Sequence, residues 1–255
     1  MAPLIDLKDM KAQANSLSLI YTRENMEQTL KNAEDKEPTY REFLQTIMES
    51  ELIFKQNRLK EKRIKEAGFP YVKRIEEYEV GFQNAITERQ LKQLAELTWI
   101  EGLYNLILAG PPGVGKTHLS IALAYRACEE GYRVSYATMS TLIQCLRTEA
   151  IDRRSRSKMN RIRKSSVLVI DEVGYLPIEK MDGNLFFQLI SELQEQTSII
   201  ITTNKGFEDW AEFLNDPALA TAILDRLTFR CDKILMNGKS YRLEHHKSFL
   251  VKEDN

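Results

Sequence analysis

Gly110-Pro111-Pro112-Gly113-Val114-Gly115-Lys116-Thr117 decides how this chain folds. The octapeptide matches G-x-x-x-x-G-K-[ST] in full and stands between an apolar run, Leu103-Tyr104-Asn105-Leu106-Ile107-Leu108-Ala109, and an Ala/Leu-rich stretch, His118-Leu119-Ser120-Ile121-Ala122-Leu123-Ala124. The predicted unit is a buried strand, a phosphate-binding loop and a helix. Glycines let such a loop curl until consecutive backbone N–H groups point inward at an anion, a conformation that side chains obstruct. Lys116 then sets an ammonium against the β- and γ-phosphates of a nucleoside triphosphate, and the Thr117 hydroxyl ligates Mg²⁺. The helix beginning near His118 aims the positive end of its dipole at the same anion. Residues 110 to 118 are therefore the expected binding site for ATP. The alternative, an ordinary Gly-Pro turn, explains neither the lysine nor the flanking elements.

Hydrolysis needs carboxylates from a second strand, and Val167-Leu168-Val169-Ile170-Asp171-Glu172 supplies them. Four apolar residues in a row fit a parallel strand covered on both faces. Asp171 at its carboxyl end is expected to hold Mg²⁺, and Glu172 to polarise the attacking water. Ser198-Ile199-Ile200-Ile201-Thr202-Thr203-Asn204 reads as a third strand that ends in hydroxyls and an amide where parallel sheets place ligands. Asn204 is its candidate for the γ-phosphate or the lytic water; a turn-forming Asn is the alternative. Gly131-Tyr132-Arg133-Val134-Ser135-Tyr136-Ala137 reads as a further strand. The order β-α-β-α-β-α-β indicates an α/β fold with a parallel sheet flanked by helices. Later, a short helix over 217–224 presents Asp225-Arg226-Leu227, where Arg226 suits the γ-phosphate of a neighbouring subunit or a surface ion pair.

Composition bounds the rest. The chain has 255 residues, enough for one α/β domain and an appendage, and its net charge of -1 favours neither a nucleic-acid binder nor an acidic protein. No apolar stretch reaches the length of a membrane span, and the first residues do not resemble a secretion signal, so a soluble cytoplasmic protein with no membrane partner is expected. Cys128, Cys145 and Cys231 lack metal-site spacing and read as reduced thiols, and three histidines complete no metal set. Tyr78, Val80 and Phe82, just ahead of the ATPase segment, are placed near the adenine.

Taken together, the loop at 110–117, the acidic strand end at 167–172, Asn204 and Arg226 resemble a AAA+ ATPase with Walker A, Walker B, sensor-1 and arginine-finger elements. Within that superfamily the chain is similar to the branch of initiators and helicase loaders. It is most similar to IstB-like transposition helpers, through Gly-Lys-Thr-His-Leu at 115–119, Ile-Asp-Glu-Val-Gly-Tyr-Leu-Pro at 170–177, Leu-Asp-Arg-Leu at 224–227 and Gly-Lys-Ser-Tyr-Arg-Leu at 238–243. Tyr40-Arg41-Glu42-Phe43-Leu44 and the Gly68-Phe69-Pro70 turn extend the likeness into the N-terminal third. The resemblance implies a Mg-dependent ATPase that forms a homo-oligomer on double-stranded DNA and engages a cognate transposase. It further implies a helical N-terminal DNA- or partner-binding domain over 1–70 and an ATPase domain over 71–255. Residues 227–255 are too few for the usual helical lid, which leaves Arg242 as a candidate for its sensor-2 arginine.

Two basic segments are candidates for DNA. Thr39-Tyr40-Arg41-Glu42 resembles a capping box that opens a helix with an apolar stripe (Phe43, Leu44, Ile47, Met48, Phe54) and then accumulates Lys55, Arg58, Lys60, Lys62, Arg63 and Lys65. From Arg153 to Lys164, seven of twelve residues are basic (Arg153, Arg154, Arg156, Lys158, Arg161, Arg163 and Lys164) and none is acidic. No aromatic interrupts this block, which favours duplex phosphates over stacked single strands. A merely solvated surface is the alternative for both segments. No recognition helix is visible, so binding should tolerate sequence and weaken with salt.

Overall fold

The computed structural model describes residues 6–83, 86–175 and 177–244. The chain divides into two compact units, residues 1–62 and 63–255.

The first unit is helical. Its elements are α1 (Leu7–Ser16), α2 (Ile20–Lys36) and the greater part of α3 (Tyr40–Ala67). The capping box forms as read: the Thr39 N–H donates to the Glu42 carboxylate at 2.8 Å, and the Glu42 N–H reaches the Thr39 hydroxyl at 3.4 Å. The start of α2 has no side-chain cap of its own. Glu51, buried on α3, supplies one, accepting from the N–H groups of Ile20 (2.9 Å) and Thr22 (3.0 Å) and from the Thr22 hydroxyl (3.1 Å). A carboxylate at a helix N-terminus meets both the unpaired donors and the dipole. The expected stripe is only partly covered: Phe43, Ile47 and Phe54 are half-buried, whereas Leu44 and Met48 stay exposed.

In the second unit five parallel strands form one sheet in the order β2-β3-β4-β1-β5. They are β1 (Asn105–Ala109), β2 (Val134–Thr138), β3 (Val167–Val173), β4 (Ser198–Thr203) and β5 (Cys231–Leu235). Side chains alternate across the sheet and so feed two cores. On one face Leu106, Leu108, Val167, Val169 and Ile200 pack under α5 (Lys116–Glu129) and the 88–101 segment, which opens with α4 (Glu88–Ala95). On the other, Ile107, Leu168, Ile170, Ile199 and Ile201 pack under α6 (Met139–Thr148), α7 (Arg153–Ile162), α8 (Lys180–Leu193) and α9 (Pro217–Thr228). Coverage on both faces is why the central strands read as unbroken apolar runs.

Gly68, at φ +76°, ends α3 with the left-handed residue typical of helix C-termini. Phe69 then turns into the sheet domain, its ring 6.5 Å from that of Tyr125 and 6.3 Å from that of Tyr136. Strand β5 escaped the sequence reading because Asp232 and Lys233 interrupt its apolar residues, as suits an edge. Among the described residues no helix is long and apolar enough to cross a membrane.

Candidate functional site

The loop 110–117 joins the carboxyl end of β1, between the middle strand β4 and the edge strand β5, to the start of α5. Its curl is enforced by close packing. Residues 236–241 lie against it: the Met236 N–H donates to the Ala109 carbonyl at 2.7 Å and the Tyr241 N–H to the Gly113 carbonyl at 3.0 Å. A Cβ on Gly110 would collide with the Met236 carbonyl, and one on Gly113, where φ is +84°, with the Ser240 side chain. Gly110 therefore answers to close backbone approach, and Gly113 to its φ and to the packed Ser240 side chain. Lys116 is buried, and its ammonium donates to the carbonyls of Gly110 (2.6 Å) and Pro111 (2.7 Å). Burial holds its pKa below the ordinary lysine value.

Asp171 sits opposite at the end of β3, buried and surrounded by hydroxyls. Thr117 donates to its Oδ1 at 3.0 Å, Tyr136 to its Oδ2 at 2.7 Å, and Thr202 to Oδ1 as well. Burial and the bond to Asp171 both push the Tyr136 phenol upward, so it remains a donor. At the next residue the pairing of β3 with β4 shifts between Ile170 and Val173. This bulge puts Glu172 at φ +63° with an exposed side chain, while its N–H donates to Thr202 Oγ1 at 3.0 Å. One hydroxyl, on Thr202, thus fixes both acids. A non-glycine residue held at positive φ costs energy that neighbouring bonds must offset.

The cleft above the loop is lined by Lys116, Thr117, His118, Glu172, Thr202 and, from the C-terminal segment, Tyr241 and Arg242. Tyr78 forms one wall, its ring edge-on to His118 at 5.5 Å. Burial lowers the His118 pKa and raises that of Tyr78 to about 12. Val80 is half-buried against the same core, and the Phe82 side chain lies outside the described residues.

Asn204 falls one residue beyond β4 and is exposed; Thr202, two residues earlier, is the β4 side chain that lines the cleft. Arg226 lies within α9, which runs past the expected end at 224. Its guanidinium turns back, donating to the Ala222 carbonyl at 2.9 Å and covering the Phe187 ring at 4.5 Å. With Asn105 and Ile199 it lines a depression at the opposite end of the strands from the loop.

The basic block forms α7. Asp152 caps it, accepting from the Ser155 N–H at 2.6 Å, and Met159 and Ile162 anchor it in the core. Arg153, Arg156, Ser157, Asn160, Arg161 and Lys164 share one concave outer face with Ile151. Arg154 is exposed, whereas Lys158 is half-buried, which lowers its pKa. Arg163, expected among the DNA contacts, is instead held by Glu149 (2.8 Å) and Glu192 (2.9 Å), and these carboxylates raise its pKa. On α3, Lys55 and Lys62 are exposed, and Arg58 lies over the Phe54 ring at 5.8 Å. Arg63 is turned inward, donating to the Cys128 carbonyl at 3.0 Å.

A family model described as IstB-like ATP binding protein matches residues 12–248. The chain belongs to the IstB-like family. An IS21 insertion-sequence protein of Pseudomonas aeruginosa, described as ATP-binding, is 38% identical over 94% of this chain and 91% of its own length. A similarly described IS21-like protein of Bacteroides fragilis is 33% identical over 100% of this chain and 97% of its own. Among solved structures, the DnaC helicase loader aligns with a TM-score of 0.52 at 21% identity, covering 64% of this chain and 96% of that one. DnaI aligns at 0.54 and 19%, covering 65% and 91%. The IstB-like chain therefore shares the fold of these proteins, with a cleft beside its P-loop.

Proposed function

We propose that this IstB-like chain hydrolyses ATP with Mg²⁺, assembles head to tail on duplex DNA and brings the transposase of its insertion sequence to that DNA. The observation that carries the reading is the cluster beside the P-loop in which the Thr117 hydroxyl bonds Asp171 directly and the buried Thr202 hydroxyl ties Asp171 to the Glu172 N–H. Thr117 and Asp171 offer hard oxygens 3.0 Å apart, the donor chemistry that suits Mg²⁺. Bound there, the ion would neutralise the β- and γ-phosphate charge. The Lys116 ammonium, now resting on loop carbonyls, is placed to exchange them for phosphate oxygens. Glu172 is exposed and, among the described residues, is fixed through its backbone alone, which leaves its carboxylate available to polarise water.

Arg226 faces away from its own P-loop, so a role in hydrolysis requires a neighbouring subunit's nucleotide, and the assembly that follows is head to tail. Asn204, one residue beyond β4, is the candidate for the γ-phosphate or the lytic water. The α7 face supplies cations for phosphates, with the α3 residues Lys55, Arg58 and Lys62 as a second contact. Relatives described as insertion-sequence ATP-binding proteins support partnership with a transposase.

The test uses the transposase of the same element and immobilised duplex. Retention of transposase only when this chain and a slowly hydrolysed ATP analogue are both present is the expected result. Equal retention without the chain, or preference for single strands, would favour helicase loading, the rival activity on the same ATPase core.

A further inference from the structure

Ile151 is 86% exposed, in the turn between α6 and α7, yet its backbone is held firmly. The N–H groups of Ile151 and Asp152 both donate to the Thr148 carbonyl, at 3.0 and 2.8 Å. Arg156 reaches back to the two preceding carbonyls, Nε to Glu149 at 3.1 Å and Nη2 to Ala150 at 2.6 Å. Asp152 is fixed as the cap of α7, and the Thr148 hydroxyl donates to that of Ser155 at 2.8 Å. Single exposed apolar residues are common and need no account. One presented on a braced turn is different, because the bracing keeps it from folding back onto the protein.

Its surroundings indicate what it meets. The concave face that Ile151 rims carries Arg153, Arg156, Arg161 and Lys164 with the polar Ser157 and Asn160, and no carboxylate. A second copy of the same face would set cations against cations. A polyanion with an apolar interior satisfies both features, and duplex DNA is such a partner. We propose that Ile151 is a wedge that enters a base step of DNA held by the α7 face, unstacking it and bending the duplex. The side chain is of the kind that proteins insert between base pairs, and insertion needs no base-specific contact. The inference rests on the duplex-binding reading above and adds the residue that deforms the DNA.

The experiment uses the full chain with the ATP analogue and a set of duplexes carrying 2-aminopurine at successive steps, with dyes at both ends. The unaltered chain should raise 2-aminopurine emission and bring the ends closer. Ile151→Ser should lose at least about half of both signals while affinity falls by less than about tenfold, since the cost of unstacking disappears along with the contact. Ile151→Leu should retain them. Equal unstacking and bending by Ile151→Ser would overturn the wedge. So would failure of that variant to oligomerise with the analogue in the absence of DNA, which would make Ile151 a subunit contact. If the unaltered chain binds no duplex, the DNA reading itself fails before any variant is made.

Discussion

Replacing Thr202 with valine removes one hydroxyl and almost no volume. In the protein that hydroxyl donates to Asp171 and accepts from the Glu172 N–H, and Thr202 is 1% exposed. A hydrogen bond to a charged group contributes about 1.5–3 kcal/mol, and a buried donor left unpaired costs about 1–3 kcal/mol. Asp171 keeps the hydroxyls of Thr117 and Tyr136, which places the first figure at its low end. The sum is about 2.5–4.5 kcal/mol, and for a domain of this size that corresponds to a fall in Tm of roughly 5–18 °C. Turnover should drop as well, because the bulge that positions Glu172 loses its anchor. Thermal unfolding followed by circular dichroism, beside a steady-state phosphate-release assay, measures both. Thr202→Ser keeps the hydroxyl and should sit much closer to the unaltered chain. A Thr202→Val protein with unchanged Tm and turnover would refute the claim that this hydroxyl organises the two acids.

Glu172→Gln should leave ATP affinity intact and reduce turnover by about 10²–10⁴, the usual contribution of a general base, as read by nucleotide titration and phosphate release. Arg226→Ala should be nearly inactive alone, and titrating it with Lys116→Ala should restore part of the turnover; no recovery at any ratio removes the finger from a trans role. Glu51→Gln should weaken the cap on α2, so that the amides of Ile20 and Thr22 exchange with deuterium about tenfold or more faster. The pH prediction concerns His118, whose folded pKa burial holds below the ordinary 6.5. The unfolded chain then binds the extra proton first, so stability falls as pH drops below 6.5 toward the folded value. His118→Gln should flatten the unfolding midpoint across that window; an unchanged slope would assign it to other groups.

Elements that obey a simple periodicity were legible from residues alone. The runs ending at Ala109, Ile170 and Thr203 belong to interior strands, and coverage on both faces leaves their middles, 106–109, 167–170 and 199–201, wholly apolar. The P-loop and Asp171-Glu172 follow from a motif whose spacing the chemistry dictates. What escaped depends on parity and distance. Thr202 and not Asn204 lines the cleft because β4 ends at Thr203, a boundary that a run of apolar residues followed by hydroxyls does not mark. Tyr136 was part of a strand reading, yet its bond to Asp171 joins residues 35 apart in sequence. The packing of Met236 and Ser240 on the loop glycines carries no local signal at either end. Charge counting likewise could not separate Arg163, which is paired with Glu149 just past α6 and Glu192 on α8, from Arg161, which faces outward.

If ATP assembles this chain on duplex DNA, as proposed, nucleotide state gates its binding to the duplex. The most direct measurement is the anisotropy of a labelled duplex titrated with this protein in the slowly hydrolysed ATP analogue and in ADP, with a matched single strand as control. Tight, cooperative, salt-sensitive binding to the duplex with the analogue alone is expected. Equal affinity in both nucleotides, or a preference for the single strand, would contradict it.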